Sequence, residues 1–333
     1  MGTEHTIPVA VHVARREAAS AVARGRRAMA DFGALQEEIS RRMLVRFDRG
    51  RRLDGPALLS LVAEIRGFMA RTTPIATREH HVPATRTRPK GESWEFTSVH
   101  GIGSADEVGD VRTLVALRIT LDRKRGMIEQ DFLGMSVTRH MLERSVERDL
   151  VRWSGELREV DEALHRNQGL VAAWRWAIVS RRVPHDLDVH LPFGDGLILG
   201  RIRPYMPTDC ALRTHFDALG TRCVDADPID YLVLRDAAGT ATTMFEFLGT
   251  TTIHEDALRM EQLDFRDAVR AVQERHARTL DTLVDASSWR SRAGGAYPRF
   301  PEMHAAITAV ADDIAAVANH PRLGQVLRPS RQA

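Results

Sequence analysis

Val111-Arg112-Thr113-Leu114-Val115-Ala116-Leu117-Arg118-Ile119-Thr120-Leu121, a charged tip Asp122-Arg123-Lys124-Arg125-Gly126, and Met127-Ile128-Glu129-Gln130-Asp131-Phe132-Leu133 form the most informative stretch of this chain. Two runs rich in β-branched and large apolar residues flank five tip residues that suit a tight reversal, so the stretch reads as a β-hairpin. Upstream, Trp94-Glu95-Phe96-Thr97-Ser98-Val99-His100 also alternates with period two and runs into Gly101-Ile102-Gly103-Ser104, read as a Gly-rich loop. Downstream, strands are expected at 187–193 and 196–203, joined through Gly194-Asp195-Gly196, and again at 211–216, 229–234 and 242–248.

Helical periodicity lies on either side of these strands. From about Ala14 to Phe47 the chain is rich in Ala, Arg, Glu and Leu, and Gly25 and Gly33 are expected to break it into pieces. Pro56 opens a second helix carrying Leu58, Leu59, Val62, Ile65 and Met69. Further helices are expected from about Val137, with Ser136 or Thr138 as N-cap, over 156–179, over 255–285 and over 302–318. Helices and hairpins are segregated rather than alternated, which specifies an α+β fold: a helical N-terminal region, then a mostly antiparallel sheet with packed helices. The organisation expected is a basic helical region over 1–70, a flexible basic linker or arm over 71–93, an α+β body over 94–290, and a C-terminal helix and tail over 291–333. Pro74, Pro83 and Pro89 argue against a helix through the arm.

Composition excludes several function classes. Of 47 basic residues only Lys90 and Lys124 are lysines, the signature of a GC-rich, bacterial-looking genome. Neither lies in a Gly-x-x-x-x-Gly-Lys-Ser/Thr frame, which speaks against a P-loop nucleotidase, and their scarcity speaks against pyridoxal phosphate chemistry and protein kinases. Gly101-Ile102-Gly103 lacks the third glycine of a dinucleotide fold, and Asp106-Glu107 stands where a helix would receive pyrophosphate. The two cysteines, Cys210 and Cys223, have no metal-ligand spacing, and a reducing cytoplasm is the simplest setting. No apolar run approaches the ~20 residues of a membrane span, so no membrane partner is expected.

Net charge is +2 but uneven, with +7 over residues 1–93 and −5 over 94–333. Arg41, Arg42 and Arg46 flank the apolar stripe Leu35, Ile39, Met43 and Phe47, and make a candidate phosphate-binding surface. A second candidate follows the hairpin, where His140, Arg144 and Arg148 recur every four residues opposite Leu142, Val146 and Leu150. Guanidinium forks a turn apart can hold an anion while the imidazole of His140 moves a proton, which makes His140 the catalytic candidate and Arg144 and Arg148 anion ligands. Glu143 and Glu147 allow the same stripe to be a solvated face of ion pairs. The cofactor is unknown; Asp110, Glu129 and Asp131 are the weak candidates for Mg2+.

These features support a nucleic-acid-associated cytoplasmic protein that binds DNA or RNA phosphates through an Arg-rich surface, with or without processing the strand. The alternatives are a hydrolase or transferase acting on a small phosphate- or carboxylate-bearing substrate at His140, and a structural subunit of a larger assembly. Sequence alone leaves open whether the chain is an enzyme.

Overall fold

The computed structural model describes residues 9–47, 53–84, 92–106, 109–123, 126–147, 157–184, 187–205, 212–217, 220–225, 234–235, 241–288 and 300–327. Two helices, α1 (Val9–Phe47) and α2 (Gly55–Thr72), precede a run of strands β1 (Ala76–Val82), β2 (Ser93–Asp106), β3 (Gly109–Asp122) and β4 (Gly126–Thr138). Helices α3 (Arg139–Glu147) and α4 (Arg158–Val179) follow, then β5 (Asp188–Phe193), β6 (Gly196–Tyr205), β7 (Leu212–Asp217), β8 (Gly220–Asp225), β9 (Leu234–Arg235) and β10 (Ala241–Ile253). The chain closes with α5 (Met260–Arg275), α6 (Ala277–Ser288) and α7 (Phe300–Asn319). The fold is α+β. No described helix is long and apolar enough to cross a membrane.

The strands form one ten-stranded sheet whose main path is β1-β2-β3-β4-β10-β6-β5, with β7 on β4, β8 on β7, and β9 on β10. Its neighbours are antiparallel except β4 and β10, which run parallel. The hairpin read from 111–133 is β3–β4, with Leu121 opposite Gly126 across the charged tip. Gly101–Ser104 is not a loop: β2 continues through it in register with β3 as far as Asp106. The glycines serve close packing there. A Cβ on Gly103 would come within 2.9 Å of the Val22 side chain, and one on Gly101 within 2.6 Å of Arg112 Nε.

α1 is one continuous helix of 39 residues, not a series of pieces. A Cβ on Gly25 would fall within 2.9 Å of Ile102 Cα, so this glycine lets the helix backbone sit directly on β2. The ~1 kcal/mol cost of glycine in a helix is offset by that contact. Along its length, about 58 Å at 1.5 Å per residue, α1 serves two cores. Ala14, Ala18, Ala21 and Val22 share a core with Val99 of β2, Leu114 of β3, and Met141 and Leu142 of α3. Phe32, Leu35 and Ile39 pack with α2 and with Trp94, Phe96, Leu117 and Ile119 on the other face of the sheet. α2 is capped by Asp54, whose carboxylate accepts from Ala57 N at 2.8 Å.

The stretch expected as a linker over 71–93 contains β1. The polar, β-branched composition that resembles a linker is that of an exposed edge strand, which is kept from pairing with other chains by charge. Pro74 and Pro83 bracket it. The long helix expected over 255–285 is two helices meeting at His276, with α5 packed on β5 and α7 and α6 packed on α4 and β4. α7 joins that same core through Ile307, Val310, Ala311 and Ile314.

Candidate functional site

Two buried polar clusters tie the helices to the sheet. Arg112 on β3 donates from Nε and Nη2 to the two carboxylate oxygens of Asp161 on α4, at 2.7 and 2.5 Å, and from Nη1 to Ala21 O on α1 at 2.8 Å. This one guanidinium therefore joins three elements. Across the centre of the sheet, Ser136 Oγ on β4 donates to Glu246 Oε2 on β10 at 2.9 Å, and Arg203 Nε on β6 donates to Glu246 Oε1 at 2.7 Å. Thr113 Oγ1 on β3 lies 2.9 Å from Ser136 Oγ. Ser136 is thus a strand residue in a buried ladder. The N-cap of α3 is Thr138, whose hydroxyl accepts from Met141 N at 3.1 Å. Both clusters are buried, with Glu246 1% and Asp161 3% exposed.

The His–Arg stripe lies on α3. His140 is exposed, and Arg144 Nη1 donates to Glu147 Oε2 at 2.8 Å. The neighbouring Arg139 pairs with Glu143 at 3.0 Å and lies 3.8 Å from Asp110. Arg148 falls outside the described residues. On α1, Arg41 donates to both oxygens of Glu38, and Arg42 bridges Glu38 to Ser60 and Glu64 of α2. These contacts lock the α1–α2 hairpin and hold the Glu38 carboxyl below its ordinary range. The Arg46 side chain lies outside the described residues.

The three acids are not gathered. Asp110 is in an ion pair with Arg26 at 2.7 Å near one end of β3. Glu129 stands opposite Arg118 in the register, eight residues along β3 from Asp110 and hence about 27 Å away at 3.4 Å per residue. Asp131 stands opposite Ala116; the side chains of Glu129 and Asp131 are outside the description. Among the described residues, no three His, Cys, Asp or Glu groups meet as a metal cage.

A different arrangement stands at the β1 edge. His81 and Trp94 are directly opposite in the β1–β2 register, and their rings stack with centroids 3.8 Å apart and 12° between planes. Trp94 is itself nearly parallel to Phe96, at 6.1 Å and 6°. Arg66 on α2 places its guanidinium 5.0 Å from the Trp94 ring and donates to both oxygens of Glu79, at 3.0 and 2.5 Å. Those bonds hold the Glu79 carboxyl below its usual range. The three rings step outward from Phe96, which is 1% exposed, through Trp94 at 7%, to the solvent-facing His81. Trp94 Nε1 is buried with no hydrogen-bond acceptor among the described residues. Arg78 and His80 are exposed on the other face of β1, and Arg71 is exposed in the last turn of α2. Arg71 and Arg78 have no ion pair or hydrogen bond among the described residues, unlike most arginines described above. The reading of 71–93 as a flexible linker or arm hid this cluster; the signal available was the Thr-Arg-Glu-His-His-Val run between two prolines.

Two further histidines are buried. His100 lies 2.8 Å from Ser98 Oγ, and burial, then the Arg112 charge, push it down to about 4. His190 packs edge-on against Phe265 with Nδ1 unpartnered, and burial pushes it down to about 4. Compared with family models, curated proteins and solved structures, the chain matches none.

Proposed function

We propose that the protein binds the phosphate backbone of a nucleic acid along the β1 edge. The observation that carries this reading is the contrast between paired and unpaired arginines. Arg41, Arg42, Arg139 and Arg144 are engaged by carboxylates, whereas Arg71 and Arg78 project from the end of α2 and from the outermost strand with no partner among the described residues. An unpaired guanidinium can offer its full fork to a phosphate. The chain between β1 and β2 adds Arg86, Arg88 and Lys90 to the local sequence charge. Glu79 is already neutralised by Arg66 and subtracts little from this field.

Binding of this kind releases counterions, so affinity falls steeply as salt rises. The test is fluorescence anisotropy of labelled single- and double-stranded DNA and RNA between 50 and 200 mM salt. Replacing Arg71 and Arg78 together by Ala should lower the magnitude of the log affinity against log salt slope by about 1.4–1.8, the loss of two phosphate contacts. Affinity that is flat in salt, or a slope unchanged in the double variant, refutes the reading. Self-association through β1 without any affinity for nucleic acid refutes it equally.

A further inference from the structure

We infer that the strand taken along this edge is single-stranded and that one of its bases stacks on His81. The inference rests on the phosphate-binding reading above and adds to it the class of ligand.

A base inside a duplex already has both faces covered by its neighbours, so an aromatic platform selects an unpaired base. His81 supplies such a platform. One face of its imidazole is held flat against Trp94, and the residue is otherwise exposed on the outermost strand. The platform is rigid. Trp94 is fixed from one side by the Arg66 guanidinium, itself held by Glu79, and lies nearly parallel to Phe96 in the core. A pre-ordered ring loses little freedom when a base arrives, which favours binding.

Charge is arranged to match. Alternation places Thr77, Glu79 and His81 on the sheet face that carries α2, as the Arg66–Glu79 contact requires, and Arg78 and His80 on the other face. A backbone running along the edge would therefore meet Arg78 from one side and Arg71, at the end of α2, from the other. Glu92 lies 3.4 Å from His81 Nε2 and steadies the imidazole on Trp94.

The experiment compares wild type with His81→Ala and His81→Phe on a single-stranded oligonucleotide and on a blunt duplex of the same sequence, with thermal melts as a fold control. Wild type should prefer the single strand. His81→Ala should weaken single-strand binding by about 10-fold or more, the range of one lost base–aromatic stack, and leave duplex binding within about 2-fold. His81→Phe should restore it. Equal, salt-sensitive binding of both ligands that His81→Ala does not change overturns the stacking inference and leaves the phosphate-binding reading standing. Binding of neither ligand overturns both. A fall in melting temperature that accounts for the lost affinity of His81→Ala, with no rescue by Phe, also overturns the inference.

Discussion

Replacing Asp161 by Asn would leave the guanidinium of Arg112 buried without its counter-charge, and the geometry allows the cost to be worked out. The Arg112 side chain is 9% exposed and that of Asp161 4%, and two of the three hydrogen bonds made by Arg112 go to that carboxylate. The guanidinium has little access to water: it packs over Gly101, where any Cβ would collide with it, and its Nη1 is taken by Ala21 O. Breaking a buried pair from one side costs about 3–5 kcal/mol, since it leaves a desolvated charge unpaired. For a chain of this length that is a fall in melting temperature of about 4–7 °C. The companion variant separates this cause from general damage to the core. Arg112→Met with Asp161→Leu removes both charges and fills the space with apolar atoms, so it should lie within about 1–2 kcal/mol of wild type. The assay is equilibrium urea unfolding followed by circular dichroism, with the slope checked for constancy. If Asp161→Asn costs under 1 kcal/mol, or if the double variant is as unstable as the sum of the two single ones, the ion pair is not what joins α1, β3 and α4.

Three further outcomes follow from the geometry. Gly25→Val should cost about 1–3 kcal/mol or more as an overpacking substitution, because its side chain would meet the Ile102–Gly103 backbone; a neutral melt would mean that α1 does not rest on β2 there. His190 is buried with its folded value pushed down to about 4, so it excludes a proton that the unfolded chain accepts below about 6.5. Its contribution is therefore present above pH 6.5 and lost as pH falls through 4, and the stability of His190→Phe relative to wild type should rise over that window, by an amount on the order of 3 kcal/mol at the limit. Parallel stability curves between pH 7 and 4 would show that the ring is not held neutral. His140→Ala, at an exposed position on α3, should leave stability within about 0.5 kcal/mol and nucleic-acid affinity unchanged; a loss of affinity would place the ligand on α3 instead of β1.

Where one periodicity carried one structural meaning, the residues were a sufficient guide. The alternation in 111–133 has a single stable outcome, an antiparallel pair, because shifting it by one residue would turn Leu117, Ile119 and Leu121 away from the apolar side they share. The same holds for Gly194-Asp195-Gly196, where Gly194 takes a positive φ of 51° in the turn between β5 and β6. Glycine was ambiguous elsewhere. Gly25 and Gly101 each read locally as a break, yet each sits in the middle of a long element, because the property that matters is the missing Cβ and not the loose backbone. That property is defined by a partner 70 or more residues away, Gly103 for the one, and by a side chain on the next strand, Arg112 for the other. The first lies beyond any local window, and the second becomes a neighbour only once β2 and β3 pair.

The candidate sites show the same division between what is local and what is not. A stripe such as His140, Arg144 and Arg148 is visible at once in a helical register, but so are the carboxylates three and four residues away, and at that spacing an intrahelical pair forms before any ligand arrives. Arginines most conspicuous in sequence are therefore the ones most readily matched by their own helix. Arg78 escapes this because on a strand its nearest acid, Glu79, points to the opposite face and is taken by Arg66. Its freedom is a consequence of period two, and it becomes apparent only once 76–82 is known to be a strand. The aromatic platform depends on the same fact, since His81 meets Trp94 through a register pairing across 13 residues of chain. In an α+β chain with abundant arginine, free cationic groups are thus to be sought where no acid shares their face: on an edge strand, where neighbours in sequence diverge, as at Arg78, or in a helical turn without a carboxylate, as at Arg71.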